Sequence, residues 1–426
     1  MARQKINAHA HCFTIDHVPE KFFDELIGGK KILRISKIRS SKFLQGLIKI
    51  GTSAFVRWLV RFFSPNTANQ LRRLHGLIKY GLKDSQDELV DIINECYQKD
   101  HSFVMLTMDM DHMDAGIPSK PFLEQLTELK NLKAKPEYSD ILHPFVFADP
   151  RRENVFNIVK EHCEDKKASF KGIKIYPALG YFPFDRELLN IYKYADEKQI
   201  PITTHCIVGD VYFRGKGWEK YPAHPVTGQS TTPITNKLFN SSKYQSPEWF
   251  QLNYTHPLNF ECLLNPEIAS KYYGEPVDLS NLKICIGHFG GETEWRMDRK
   301  QMKFKEENKA KIKWNDPLDI KQNWLGDTGS RLNWLTIIQA LIRKYPNVYA
   351  DISFTLHDEE IYGTLKGMLQ DDSLKEKILF GSDYYVTASV MEEPEVITTI
   401  KKHLTAEEYH QIAVVNTAKF LETKLN

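Results

Sequence analysis

His9 and His11 stand two residues apart in Asn7-Ala8-His9-Ala10-His11, and on an extended strand that spacing turns both imidazoles to one side. Three more polar residues close runs that are otherwise apolar. His205 ends Ile200-Pro201-Ile202-Thr203-Thr204-His205, His288 ends Ile284-Cys285-Ile286-Gly287-His288, and Asp383 ends Ile378-Leu379-Phe380-Gly381-Ser382-Asp383. Three or four neutral imidazoles with one carboxylate suit Zn or another borderline divalent cation. Such a cation lowers the pKa of a bound water towards about 7, which makes a nucleophile available at neutral pH, and Asp383 can take its proton if it reaches within hydrogen-bond distance. Any one of these residues alone reads as a hydrogen-bonded strand end. As a set on four strands they read as a metal site.

A metal site of this kind needs a scaffold that brings strand ends together. Eight short apolar, β-branched runs recur, at about 5–12, 102–108, 143–148, 170–176, 200–206, 282–288, 347–353 and 377–383. Segments of helical period follow most of them. From Asp185 to Gln199, for example, Leu188, Leu189, Ile191, Tyr192 and Ala195 share one apolar face. Similar helices are expected at 85–98, 153–167, 331–345 and 405–422. This is the α/β pattern of a (β/α)8 barrel, whose mouth lies at the carboxyl ends of the strands. Segments of about 13–84, 207–281 and 290–330, after strands one, five and six, are too long to be simple connections and read as lids and pocket walls. Residues 1–426 are therefore expected to form one barrel domain, with 20–84 as a basic, largely helical cap.

The ordered set of His9, His11, His205, His288 and Asp383 resembles the amidohydrolase superfamily. Flanking patterns are similar to its amidohydrolase-related branch, which holds metal-dependent hydrolases and decarboxylases such as aminocarboxymuconate semialdehyde decarboxylase. These patterns are Gly172-Ile173-Lys174-Ile175-Tyr176-Pro177, His288-Phe289-Gly290-Gly291, Asn347-Val348-Tyr349-Ala350-Asp351, Phe380-Gly381-Ser382-Asp383 and Asn416-Thr417-Ala418. The resemblance implies a distorted barrel with a metal, Zn above all, on His9, His11, His205 and Asp383. It implies His288 as a proton donor or a group that polarises the substrate carbonyl. In two-metal relatives a carboxylated lysine on the fourth strand bridges the ions. Lys174 would fill that role with His288 as a further ligand, or would stay unmodified and meet an anionic substrate group or a nearby carboxylate. Asn7 stands where the family usually has Asp.

Weaker candidates for substrate contact lie beside these motifs. His112 follows the second strand. Arg296 could clamp a carboxylate or pair with Glu292, and Tyr176 and Tyr384 offer phenols. Asp351, closing the seventh strand, reads as an orienter of a ligand rather than a ligand.

The 426 residues carry 57 Lys and Arg against 55 Asp and Glu, a balance that gives no reason to expect nucleic acid. The charge is uneven, since Leu26 to Lys83 holds thirteen basic and no acidic residues. Between Phe43 and Phe63 an apolar stripe interleaved with Lys49, Arg57 and Arg61 reads as a basic amphipathic helix or pair of helices. It would serve as a cap over the barrel; contact with an anionic membrane surface through 30–83, or dimerisation, are its other uses. Six scattered cysteines without a CxxC fit reduced thiols, and with no apolar leader the expected location is cytoplasmic. The expected function is hydrolysis at a carbonyl carbon of an amide, lactone or ester in a small polar substrate. A metal-dependent decarboxylase and a non-catalytic, membrane- or partner-binding barrel are the alternatives.

Overall fold

The structure is a computed structural model, described here over residues 5–22, 79–207, 209, 211–215, 221–230, 253–298, 316–320 and 332–422. Eight parallel strands follow one another around a single sheet: β1 (Lys5–Ala10), β2 (His101–Leu106), β3 (Leu142–Phe147), β4 (Gly172–Lys174), β5 (Ile202–His205), β6 (Ile284–Gly287), β7 (Val348–Asp351) and β8 (Ile378–Leu379). β8 returns to β1 through Ala8 N–H to the Phe380 carbonyl (2.8 Å), Asp383 N–H to the His9 carbonyl (2.8 Å) and a parallel bridge between Ala10 and Tyr384. The result is a (β/α)8 barrel. All eight expected strands are present; β3 is as long as its apolar run and the others are shorter.

Helices pack outside: α1 (Gln86–Cys96), α2 (Phe122–Lys133), α3 (Val155–Glu164), α4 (Leu189–Lys198), α5 (Leu258–Leu264), α6 (Pro266–Tyr273), α7 (Trp334–Lys344), α8 (Tyr362–Leu369) and α9 (Glu393–His403). In α7 the residues Trp334, Leu335, Ile337, Ile338, Leu341 and Ile342 recur at helical spacing and are buried. Burial of each large apolar side chain contributes about 1.5–3 kcal/mol. The Asn333 side chain caps α7 at the Thr336 N–H (2.7 Å), and Arg343 and Lys344 suit the negative end of its dipole. The C-terminal helical segment is broken by a π turn at Gln411–Val415. Sequence reading did not single out α2, α5, α6, α8 or α9.

Two apolar layers result. Ile6, Ala8, Val104, Leu106, Phe145, Cys285, Tyr349 and Leu379 belong to a small buried cluster, while Ala10 and Phe103 belong to the large one shared with the helices. Along β1 the partners run Asn7 to Phe103 and then Ala10 to Met105, so one extra residue is inserted in β1 between Asn7 and Ala10. Such a bulge reverses the facing of the residues after it. Simple alternation would put His9 on the side of Asn7; the bulge separates them.

The apolar basic stripe from Phe43 to Phe63, and nearly all of the 20–84 cap, lie outside the described residues. All six cysteines are free thiols, and among the described residues no helix is long and apolar enough to cross a membrane.

Candidate metal centre

His9 from β1, His11 just beyond it and Asp383 beyond β8 meet at the carboxyl-terminal mouth, with one ligand atom of each within 4.8 Å of the others. His9 Nε2 lies 3.6 Å and His11 Nε2 3.2 Å from Asp383 Oδ1. The rest of the network decides what those atoms can do. His11 Nδ1 lies 2.9 Å from the Leu106 carbonyl, which only accepts, so that nitrogen carries the proton. His9 Nδ1 donates to Asp351 Oδ2 at 2.9 Å. Burial pulls the His9 pKa down to about 4, against the opposing pull of Asp351, so its ring is neutral and Nε2 holds a lone pair. Buried His9 Nε2 has no hydrogen-bond partner. His9 Nε2 and Asp383 Oδ1 are therefore acceptors that face one another with no hydrogen bond between them, an arrangement that a cation resolves.

Asp351 closes β7 and is wholly buried. Its carboxylate accepts from His9 Nδ1, the Ser353 N–H (3.1 Å), the Ser353 hydroxyl and the His288 N–H (3.0 Å). Burial would raise its pKa, but the His9 ring, His288 and the Ser353 hydroxyl hold it well below the usual carboxylate range. His9, His288 and Asp351 also bring ligand atoms within 4.8 Å. That second group is saturated with donors, so it needs no ion.

His205 ends β5 and joins the site through His288, whose Nε2 is 3.0 Å from His205 Nδ1. The Ser353 hydroxyl gives its proton to Asp351, so Ser353 Oγ, 2.9 Å from His288 Nδ1, accepts there, and the Ser353 carbonyl is 3.3 Å away. His288 thus holds its proton at Nδ1 and accepts at Nε2 from His205. Burial lowers the His288 pKa to about 4, and takes that of His205 well below its usual value, so both are neutral. The remaining lone pair is at His205 Nε2, buried and without a hydrogen-bond partner. The Tyr176 ring stacks on His205 with centroids 3.9 Å apart and 18° between planes.

The expected ligands therefore divide. His9, His11 and Asp383 converge tightly, and His205 offers a matching lone pair but is not in the close group. His288 holds Nδ1–H against Ser353 and accepts at Nε2 from His205, so in this arrangement it orients His205. Both His288 (φ 65°) and Asp383 (φ 61°) adopt left-handed backbone, which costs a non-glycine residue about 1–3 kcal/mol and is found where function holds it in place.

Lys174 closes β4 with its side chain wholly buried and Nζ without a hydrogen-bond partner; the pairing with a carboxylate is absent. Burial pulls its pKa down to about 8, partly offset by Asp351 and Asp383. His112 is half-buried, and among the described residues no hydrogen bond ties it to the site. Arg296 pairs with Asp358 (2.8 Å), not with Glu292, and its side chain is half exposed. Tyr384, expected near substrate, packs its ring on Tyr80 with centroids 5.5 Å apart. Beside Asp383 in the chain, Ser382 exchanges hydrogen bonds with Asn7: Asn7 Nδ2 donates to Ser382 Oγ (2.7 Å) and Ser382 N–H to Asn7 Oδ1 (3.1 Å). Sequence reading missed Ser353. Its only sequence signal is its place two residues after the strand-closing Asp351.

No protein-family model and no curated protein matches the chain. Among solved structures it is similar to the 5-carboxyvanillate decarboxylase of Sphingomonas paucimobilis, with 11% identity, 99% of this chain and 100% of that chain covered, and a TM-score of 0.48. The manganese-bound 5-carboxyvanillate decarboxylase of Novosphingobium aromaticivorans gives 12%, 98% and 96%, and 0.46. A zinc-bound amidohydrolase of Burkholderia multivorans gives 11%, 82% and 91%, and 0.44. The solved structures that this chain is similar to thus include amidohydrolases and decarboxylases, and the likeness is one of fold.

Proposed function

We propose that the barrel mouth holds one divalent cation, zinc or a similar borderline ion, on His9, His11, His205 and Asp383, and that the protein hydrolyses a carbonyl compound there. The convergence of His9 Nε2, His11 Nε2 and Asp383 Oδ1, with His9 Nε2 buried and without a hydrogen-bond partner, carries this reading. When bound, the cation would acidify a water and polarise a carbonyl oxygen. The chain supplies the rest. Asp383 takes the attacking water's proton on its carboxylate and passes it to the leaving group. Asp351 and Ser353 keep the proton of His9 at Nδ1, and His288 does the same for His205, so that each Nε2 stays open. Lys174 remains an unmodified ammonium that meets an anionic group of a small polar substrate, beside the Tyr176 ring.

The unpartnered Lys174 Nζ also favours a second reading, decarboxylation of a small carboxylic acid whose carboxylate seats on that ammonium. Metal analysis of the purified chain tests the common ground: one equivalent of ion in the wild type and none in His9→Ala/His205→Ala. An intact wild-type fold that never takes up a stoichiometric ion overturns it. Product analysis separates the two reactions, since only the second releases carbon dioxide without adding water.

A further inference from the structure

Glu393, the first residue of α9, has a buried carboxyl group that forms no ion pair among the described residues, and the proposed chemistry does not use it. It accepts from the Tyr97 hydroxyl at 2.6 Å and from the Ser382 hydroxyl. Ser382 Oγ in turn accepts from Asn7 Nδ2 (2.7 Å) and from the Tyr384 N–H (3.2 Å). Asn7 Nδ2 also reaches the Tyr97 oxygen at 3.4 Å. The two strands that close the barrel, β1 and β8, and the two helices outside them, α1 and α9, are thereby joined by one buried polar seam.

The seam lies on the bulge of β1. An inserted residue leaves ladder groups without their usual partners. Here the His9 N–H donates to Asn7 Oδ1 at 3.2 Å, and the same oxygen accepts the Ser382 N–H at 3.1 Å. Asn7 thus holds the backbone of the first histidine and of the residue before Asp383 on one oxygen. The approach is close at Gly381, where a Cβ would fall 2.7 Å from His9 Cβ. Any slip of β8 along β1 changes the distance between Asp383 Oδ1 and His9 Nε2.

We propose that Glu393 is a positioning residue for the cation site, anchoring Ser382 and through it the Asn7 clamp that turns His9 into the mouth and sets Asp383 against it. This inference rests on the reading that the mouth binds a cation. It adds that a carboxyl group on an outer helix sets the affinity of a site it does not touch.

The test is cobalt titration of the full-length apoprotein, followed by the visible absorption of the bound ion, with thermal melting of each apoprotein in parallel. Glu393→Leu removes the acceptor and is expected to weaken cobalt binding by about tenfold, the lower end of what loss of a ligand's supporting partner does. Glu393→Gln keeps an acceptor oxygen and is expected to retain most of the affinity. Ser382→Ala should lose as much as Glu393→Leu, and the double variant no more than either. Val396→Ala takes buried volume from the same helix and should lower the melting temperature without moving the affinity. Unchanged affinity in Glu393→Leu and Ser382→Ala overturns the proposal, as does an equal loss in Val396→Ala. Should Glu393→Leu not fold, Ser382→Ala alone decides by the same criterion. A wild type that binds no cobalt overturns the cation reading itself, a result distinct from wild-type binding that the variants leave intact.

Discussion

His288 Nε2 lies 3.0 Å from His205 Nδ1, and only one of the two nitrogens carries the proton. The hydroxyl of Ser353 decides which, because it gives its own proton to Asp351 and so must accept from His288 Nδ1. Protons are thereby ordered along His205, His288, Ser353 and Asp351, leaving a lone pair at His205 Nε2. His288→Ala removes the acceptor that fixes His205 in this tautomer. Cation affinity should fall by roughly tenfold, about 1.4 kcal/mol, in a metal titration. Ser353→Ala should fall in the same direction. If His288→Ala binds the ion as tightly as the wild type while turnover disappears, His288 is a reacting group and the ordering is wrong.

Cation removal should show in stability as well as activity. His9 Nε2 and Asp383 Oδ1 face each other at 3.6 Å with no proton between them, so the apoprotein folds against that repulsion. A ligand that binds only the folded state adds about 4 kcal/mol at a concentration 1,000 times its dissociation constant. Melting curves should therefore move down on chelation and recover on adding zinc in proportion to the logarithm of its free concentration. His9→Ala and Asp383→Ala should show no such recovery.

The barrel was legible because its strands are short apolar runs, and four of them are closed by residues that do not belong in a core: His11, His205, His288 and Asp383. The same signal reached Asp351. What composition and period could not show is pairing across hundreds of residues. His9 and Asp351 meet across the sheet, and the carbonyl that fixes His11 belongs to Leu106, which has no side-chain signature for the purpose. The bulge in β1 was equally hidden: strict alternation predicts that His9 and His11 share a side, as they do, but it puts Asn7 with them. Arg296 found Asp358 rather than Glu292 because loops after β6 and β7 lie side by side, a relation absent from local sequence.

Lys174 supplies a prediction about its own covalent state. An unmodified ammonium buried without a partner destabilises the fold, and burial pulls its pKa from 10.5 to about 8. Between those values the unfolded chain holds the proton and the folded chain has released it, so stability rises with pH across the window. Lys174→Met removes the buried charge at similar length. The apoprotein variant should melt higher than the wild type at pH 7, by up to about 3 kcal/mol, with the advantage fading from about pH 8 to 10.5. A carboxylated lysine gives the opposite sign, and intact-protein mass measured under carbon dioxide is the independent check.

Glu393 should leave a second, opposite mark on the pH dependence. Burial pushes its carboxyl up from 4.5 to about 7, although the Ser382 and Tyr97 hydroxyls pull the other way. In that window the folded chain holds a proton that the unfolded chain has lost. The stability this group contributes is complete below about pH 4.5 and is lost as pH rises through 7. The full span is about 3 kcal/mol. Glu393→Gln is uncharged at every pH and keeps an oxygen for the two hydroxyls, so it does not titrate. The melting temperature of the Gln apoprotein, measured relative to wild type, should climb between pH 5 and 8 and level off above that. Parallel curves for the two proteins across this range would place Glu393 as an ordinary ionised carboxylate. Its hold on Ser382 would then be that of a charged acceptor at every working pH.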